Sequence, residues 1–406
     1  MNAAKPTPHP YGLDVPLRDW NAMDDEAFRA EIRACFEAHH PTHLRYAPHR
    51  LRWSENGEWF RRMARMGWIA PNWPAEHGGM GLAPAKLLIF YEEQERWGIG
   101  RFQDHGILMV GPVLIRFGTE AQRARWLPHI LTCEHIWAQG YSEPNAGSDL
   151  AGLRTEAVIE GDEFVITGQK IWTTLAQDAT HMFVLARTDK AAKKQSGISF
   201  ILVDLSSPGV RVRPIRDIAG HEEFNEVFFD GVRVPRENLV GALNEGWTIA
   251  KSLLGFERIH IGSPKLPHYG LGILTRVAEL RGVQSDPVFV ERYTALRMEI
   301  EDLADTYGRF VEIVKRGEPL PPEVSLLKVV ATELFQRIAD LIIETAGEAG
   351  QLHGMITLGE SDAEGNPPGR VDVLAPFYKA KPATIYGGSN EIQRNILAKN
   401  VLHLPG

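Results

Sequence analysis

The chain has 406 residues, of which 44% are hydrophobic and 24% charged, with a formal net charge of -8. That length fits two or three domains, at roughly 100–200 residues each, and the acidic balance argues against a nucleic-acid partner, because phosphate contacts need an excess of Lys and Arg. Two cysteines only, Cys35 and Cys133, exclude a disulfide scaffold and suit a reducing compartment.

The start, MNAAKPTPHPYGLDVP, has no apolar stretch of the kind a secretory leader needs. No run of about 20 apolar residues could span a membrane. The expectation is a cytoplasmic protein. From there to residue 136 the pattern is helical. Phe28, Ile32 and Phe36 recur at four-residue steps behind the acidic Asp24 and Asp25, which predicts one buried stripe. Thr119 and Gln122 match a capping box just after Gly118, a stop for the preceding helix. Between these helices GWIAPNWPAEHGGMGL (67–82) has the Gly and Pro content of an ordered loop.

Residues 137–248 change period. The runs EFVITG, HMFVLAR, GISFILVDL, VRVRPI and EVFFDGVRVP are rich in Val, Ile and Phe and too short for amphipathic helices. Turn signals such as Gly161-Asp162 and Asp230-Gly231 lie between or within them. An antiparallel barrel or sandwich is the natural way to bury such strands.

Residues 249–406 return to helix. Asp286-Pro287 supplies an N-cap and an N1 proline. Tyr293, Leu296, Ile300, Leu303, Tyr307, Phe310 and Val314 then alternate three- and four-residue steps up to Gly317, the seam of a long bundle helix. Pro321-Pro322 opens a second helix with Leu327, Val330, Leu334, Ile338 and Leu341 on one face. The expected fold is α+β: an N-terminal α-helical domain (1–136), a middle β domain (137–248) and a C-terminal four-helix bundle (249–406).

No G-x-G-x-x-G follows a strand, which speaks against a nicotinamide cofactor. His39-His40, His105, His221 and His260 show no metal-ligand spacing, so no metal is expected. The segment QGYSEPNAGSDLAG (139–152) packs hydroxyls, glycines and backbone donors into one stretch. That composition suits a loop around an anionic or polar cofactor; it also suits a turn-rich linker.

YSEPNAGSDLAG closely resembles the first signature of the acyl-CoA dehydrogenase family. GQKIWTT (168–174) is similar to its flavin-stacking strand, and EVFFDGVRVPRENLVG (226–241) to the end of its β domain. IYGGSNEIQRNILAKNVL (385–402) resembles its C-terminal flavin-binding helix. The resemblance runs in the family's order over the chain after residue 20, and implies FAD. It places Ser142 near flavin N5, the backbone of Tyr141 on the ring, Trp172 against the isoalloxazine and Thr174 as its hydrogen-bonding neighbour. Ser148 falls on the pyrophosphate, with Gly147 beside it among the cofactor-binding residues. Ser389 and Glu391 fall near the flavin and its adenosine part, although better-known relatives have Gln in place of Glu391.

Two departures matter. The catalytic glutamate that many members carry after the motif tyrosine is here Gly387, which retains only the backbone N–H that binds the thioester oxygen. The isovaleryl-CoA dehydrogenase branch takes its base from an earlier helix, and that resemblance points to Glu257 in LLGFERIH. Its apolar neighbours would raise a carboxylate toward neutrality. His260 lies three residues on. Arg258 and Ser148 are the expected substrate-binding residues. The family's Arg-x-x-Phe-Gly is absent from LRGVQSDPVFVERY (280–293), where Arg281 or Arg292 could stand in.

The activity so implied is α,β-dehydrogenation of an acyl-CoA to a trans-2-enoyl-CoA, with Glu257 as base and hydride transfer to flavin N5. The implied acceptor is an electron-transfer flavoprotein. The implied assembly is a homo-oligomer, dimer or tetramer, or a heteromer with a paralogous subunit. A flavin monooxygenase or oxidase of the same fold, or a non-catalytic subunit of a heteromeric dehydrogenase, stand as alternatives.

Overall fold

The four-residue apolar step near the start becomes α1 (Asp25–His39), with Asp24 accepting from the Ala27 N–H as its N-cap. Phe28, Ile32 and Phe36 are fully buried. In this computed structural model the described residues are 9–15, 17–47, 49–100, 105–316, 318–358 and 369–405, and across 254–260 the backbone alone is described. They form two compact units, Met1–Leu253 and Leu254–Gly406.

In the first unit α2 (Trp53–Arg65) and α3 (Pro84–Arg96) follow α1. Glu93 of α3 is buried and accepts from Arg29, Arg33 and Arg96. Burial alone would raise its carboxyl, but the three guanidinium groups outweigh that and bring it down to about 2. A π-helical stretch, His105–Val110, runs into α4 (Gly111–Phe117), which ends at Gly118. Thr119 then caps α5 (Glu120–Leu131), with the reciprocal Gln122 bond of a capping box.

The strand region gives β1 (Trp137–Gly140), β2 (Glu156–Glu160), β3 (Glu163–Thr174), β4 (His181–Arg187), β5 (Ile198–Asp204), β6 (Val210–Ile215), β7 (Phe224–Pro235) and β8 (Leu239–Val240). The sheet order is β6-β7-β3-β2-β4-β5-β8, with β1 on β4. Most neighbours are antiparallel, as the turn signals predict, but β1 and β2 each meet β4 in parallel. The long crossover through 141–155 makes that possible. Phe183, Leu185, Phe200 and Leu202 face the helical core, while Met182, Val184, Ile201 and Val203 face a second core with Phe164, Ile166 and Val227. Burial on both faces explains why β4 and β5 read as continuous apolar runs.

α6 (Gly246–Ile261) crosses the boundary between the units. The second unit continues with α7 (Lys265–Arg281), α8 (Pro287–Lys315), α9 (Ser325–Ala346), a short antiparallel pair β9 (Ile356–Leu358) and β10 (Gly369–Val371), α10 (Leu374–Ala383) and α11 (Asn390–Asn400). Asp286 caps α8 through the Val288 and Phe289 N–H groups. Its seam packs as read, except that Ile313 takes the place of Val314. Gly317 lies outside the described residues.

α9 is the centre, packed by α7, α8, α10 and α11. The single apolar face expected for it is therefore too narrow. Phe335, Ala339 and Ile342 are fully buried as well, and Val330 only in part, the signature of a helix covered all round. Among the described residues no helix is long and apolar enough to cross a membrane.

Candidate functional site

The residues singled out in the sequence fall into two groups, one in each unit. In the first unit Tyr141 and Ser142 follow β1 and lie against β3, where the Ile171 N–H donates to the Ser142 carbonyl at 2.9 Å. Tyr141 is buried and Ser142 half-buried, whereas Gly147 and Ser148 are exposed on the loop that follows. A β-carbon added at Gly147 would meet nothing within 4 Å, so this backbone is open to a ligand. A cleft of about 210 Å³ beside the loop is lined by Glu143, Asn145, Ala146, Arg154, Thr155 and Gln169.

Trp172 sits where the β3–β7 ladder loses register, between Lys170 and Thr173. Its φ is +60°, a left-handed backbone in which a bulky side chain is an outlier. The indole is 58% exposed and meets Phe224 edge-on at 6.1 Å. Such strain persists only when the surroundings over-determine it, and it concentrates at functional sites. The ladder resumes with Thr173 opposite Asn225 and Thr174 opposite Phe224. Thr173 is buried, and its hydroxyl has no hydrogen-bond partner among the described residues.

In the second unit Gly387 and Gly388 turn the chain into α11 with φ of +64° and +79°. The Gln393 side-chain amide donates to both of their carbonyls, at 3.1 and 3.2 Å. Ser389 is the N-cap and accepts from the Ile392 N–H. Glu391 is exposed, and hydrogen bonds from its own backbone N–H and the Ser389 hydroxyl hold its carboxyl below the usual range. Asn390 is buried, taking the Lys328 ammonium on Oδ1 at 2.9 Å and pairing with Thr332.

The side chains of Glu257, Arg258 and His260 lie outside the described residues; their backbone belongs to α6. Arg292 is paired with Glu344 at 2.5 Å. A second cavity of about 410 Å³ is lined in part by Arg233, Val234, Pro235 and Asn238 of the 226–241 motif and by none of the residues expected to bind cofactor or substrate. His129, His135 and His181 stack along its wall, and burial, followed by its two histidine neighbours, pushes His135 down to about 3. Among the described residues no group of three or more His, Cys, Asp or Glu could hold a metal.

Family models describing the N-terminal, middle and C-terminal domains of acyl-CoA dehydrogenases match residues 23–134, 138–232 and 244–402. The chain belongs to the acyl-CoA dehydrogenase family. Acyl-CoA dehydrogenase IpdE1 of Mycobacterium tuberculosis is 40% identical over 360 residues, covering 86% of this chain and 88% of the relative. Among solved structures, the Tcur3481-Tcur3483 steroid ACAD has a TM-score of 0.81 at 29% identity and covers 94% of this chain and 99% of its own. The ChsE4-ChsE5 complex from M. tuberculosis has a TM-score of 0.72 at 30% identity, over 94% of this chain and 97% of its own.

As an acyl-CoA dehydrogenase the chain is an oxidoreductase of a family of FAD flavoproteins that act on acyl-CoA. Three residues of the first group went unnoticed in the sequence: Glu143, Lys170 and Thr173. The signal for Lys170 was a lysine inside an apolar strand run, where a solvent-facing side chain is the ordinary expectation.

Proposed function

We propose that this acyl-CoA dehydrogenase binds FAD and oxidises a bulky, ring-bearing acyl-CoA to its trans-2-enoyl-CoA. The observation that carries the reading is Trp172, a strained and exposed indole at a break in the sheet, one residue after the Ile171 that bonds the Ser142 backbone, in the unit that also carries the open Gly147 backbone and the exposed Ser148. These fit a planar, hydrogen-bonding, phosphate-bearing group. Bound FAD would supply the two-electron acceptor for the β-hydride.

The chain's own residues do the rest. Trp172 covers one side of the ring site and excludes water, while the Tyr141 backbone, Ser142 and Thr174 supply hydrogen bonds where the ring gains negative charge. Gly147 and Ser148 meet the pyrophosphate, and Ser389 and Glu391 the flavin and adenosine ends. Glu257 takes the α-proton. The Gly387 N–H binds the thioester oxygen, so that charge developing there is stabilised without a side chain. Arg258 and Ser148 contact the substrate. The domain division at about residues 136 and 248 is part of the same proposal, supported by the ranges the family models match.

Two observations support the substrate class. Gly387 leaves space where many relatives carry a glutamate, and a similar structure is named a steroid ACAD. The similar structures named for two proteins together support a heteromer with a paralogous subunit. An electron-transfer flavoprotein is the acceptor that family membership suggests. Gly387 also favours a second reading, a non-catalytic subunit within such a heteromer.

The test is a panel of acyl-CoAs mixed anaerobically with the oxidised, flavin-loaded protein, alone and with a co-expressed paralogous subunit. A ring-bearing acyl-CoA is expected to bleach the flavin absorbance while butyryl-CoA leaves it unchanged. Bleaching by none of them, in both preparations, would overturn the dehydrogenase reading.

A further inference from the structure

The roles assigned above leave one buried ion pair unused. Lys170 is fully buried on β3, two residues before Trp172. Its ammonium donates to the Glu143 carboxylate at 2.8 Å and to the Tyr141 carbonyl at 3.2 Å. Glu143 in turn accepts the Arg154 N–H at 2.6 Å and the Thr155 N–H at 2.8 Å. Three segments, 141–143, 154–155 and β3, are therefore tied to one point inside the first unit.

Charge buried this deeply is costly unless its partners are held in good geometry. The arrangement is consequently intolerant of small shifts. It stands at the right place to matter. The β3–β7 ladder lets go between Lys170 and Thr173, so strand pairing does not fix the left-handed Trp172. The adjoining Ile171–Ser142 backbone bond carries whatever position the pair imposes.

We infer that the Lys170–Glu143 ion pair is a positioning device, which sets the Tyr141–Ser142 backbone and the strained Trp172 at a fixed separation for the flavin. This rests on the flavin-binding reading above. Neither residue touches the reacting atoms.

The charge state of the pair offers a second handle. Burial drives the Lys170 ammonium down from 10.5 to about 8, opposed by Glu143 and aided by Arg187 of β4. The Arg187 guanidinium is itself occupied by the Ala151 and Lys194 carbonyls. Because the folded value lies below the unfolded one, the fold favours the neutral amine. Raising the pH from about 8 to about 10.5 therefore removes no stability through this group. It does remove the charge that holds Glu143 and the Tyr141 carbonyl. A pair that only stabilises the fold and a pair that positions a site thus part company in mild alkali.

The experiment uses the full chain. FAD affinity is measured from the visible absorption spectrum, amide exchange at 141–143 and 170–174 by mass spectrometry, and folding by thermal melting. The variants are Lys170→Met, Lys170→Arg and Glu143→Gln, with Arg233→Ala as control, since Arg233 pairs with exposed Glu160 and Glu163. Lys170→Met is expected to weaken FAD binding about tenfold or more, as a slightly loosened site does, and to speed exchange in both segments. Glu143→Gln should act in the same direction, Lys170→Arg should restore part of the loss, and the control should match the wild type. In the wild type, affinity should fall from about pH 7 to about pH 9.5 without a drop in melting temperature, and Lys170→Arg should flatten that fall.

A folded Lys170→Met variant with wild-type affinity and exchange overturns the inference. Should that variant not fold, a folded Glu143→Gln variant with wild-type affinity and exchange overturns it instead. A wild-type protein that takes up no FAD at any pH sinks the flavin reading, and exchange at the two segments still decides whether the pair holds them together.

Discussion

Two of the segments that carry motif residues pass through left-handed backbone, by opposite means. At the end of β3 the residue is Trp172, with φ +60°; before α11 the residues are Gly387 and Gly388, with φ +64° and +79°. A bulky residue held there stores roughly 1–3 kcal/mol of strain, whereas glycine adopts it freely. The supports differ accordingly. Under Trp172 lies a buried ion pair with backbone donors; around the glycines a single amide, Gln393, closes both carbonyls. In the proposed site, strain stands where a side chain projects, and conformational freedom where the backbone is the proposed contact.

The sharpest way to break this comparison is Glu257→Gln. If the glycine turn contributes only an N–H, the base lies elsewhere, and turnover is expected to fall about 10²–10⁴-fold while FAD binding persists. Steady-state turnover near the wild-type value would show that another group takes the proton. Asn390→Ala comes next, because it removes an acceptor of the Lys328 ammonium and a partner of Thr332 under the start of α11. Its expected cost is about 1–3 kcal/mol in denaturant unfolding, and a change within about 0.5 kcal/mol would mean the turn does not lean on α9.

Trp172→Gly tests the strained side. Relief of the left-handed backbone is expected to stabilise the flavin-free protein by about 1–2 kcal/mol while weakening FAD binding. A lower unfolding midpoint would mean instead that packing on Phe224 outweighs the strain. Gly387→Ala is the smallest change. A β-carbon at φ +64° is expected to cost about 1 kcal/mol, and no measurable loss would show that the turn relaxes.

Much of this fold is legible in the sequence, and the reason is redundancy. α1 and α8 announce themselves twice, by apolar spacing and by the acidic start at Asp24 or the cap at Asp286, and α5 by its capping box at Thr119. β4 and β5 are apolar throughout because both of their faces are buried. What escaped depends on partners distant in sequence. β1, β2 and β8 are short or polar, and only pairing with β3, β4 and β5 makes them strands. The second buried face of α9 exists because α10 and α11 return to cover it. The motif residues were legible through family resemblance, but their conformations were not. Nothing in GQKIWTT signals a left-handed Trp172, and the burial of Lys170 follows from Glu143, 27 positions earlier.

The chain has ten tryptophans, and Trp172 is the exposed one, the other nine being buried or half-buried. Its emission should therefore be the most accessible to an aqueous collisional quencher such as iodide. The same feature that strains the backbone thus installs a native optical probe at the mouth of the proposed site, with no label attached.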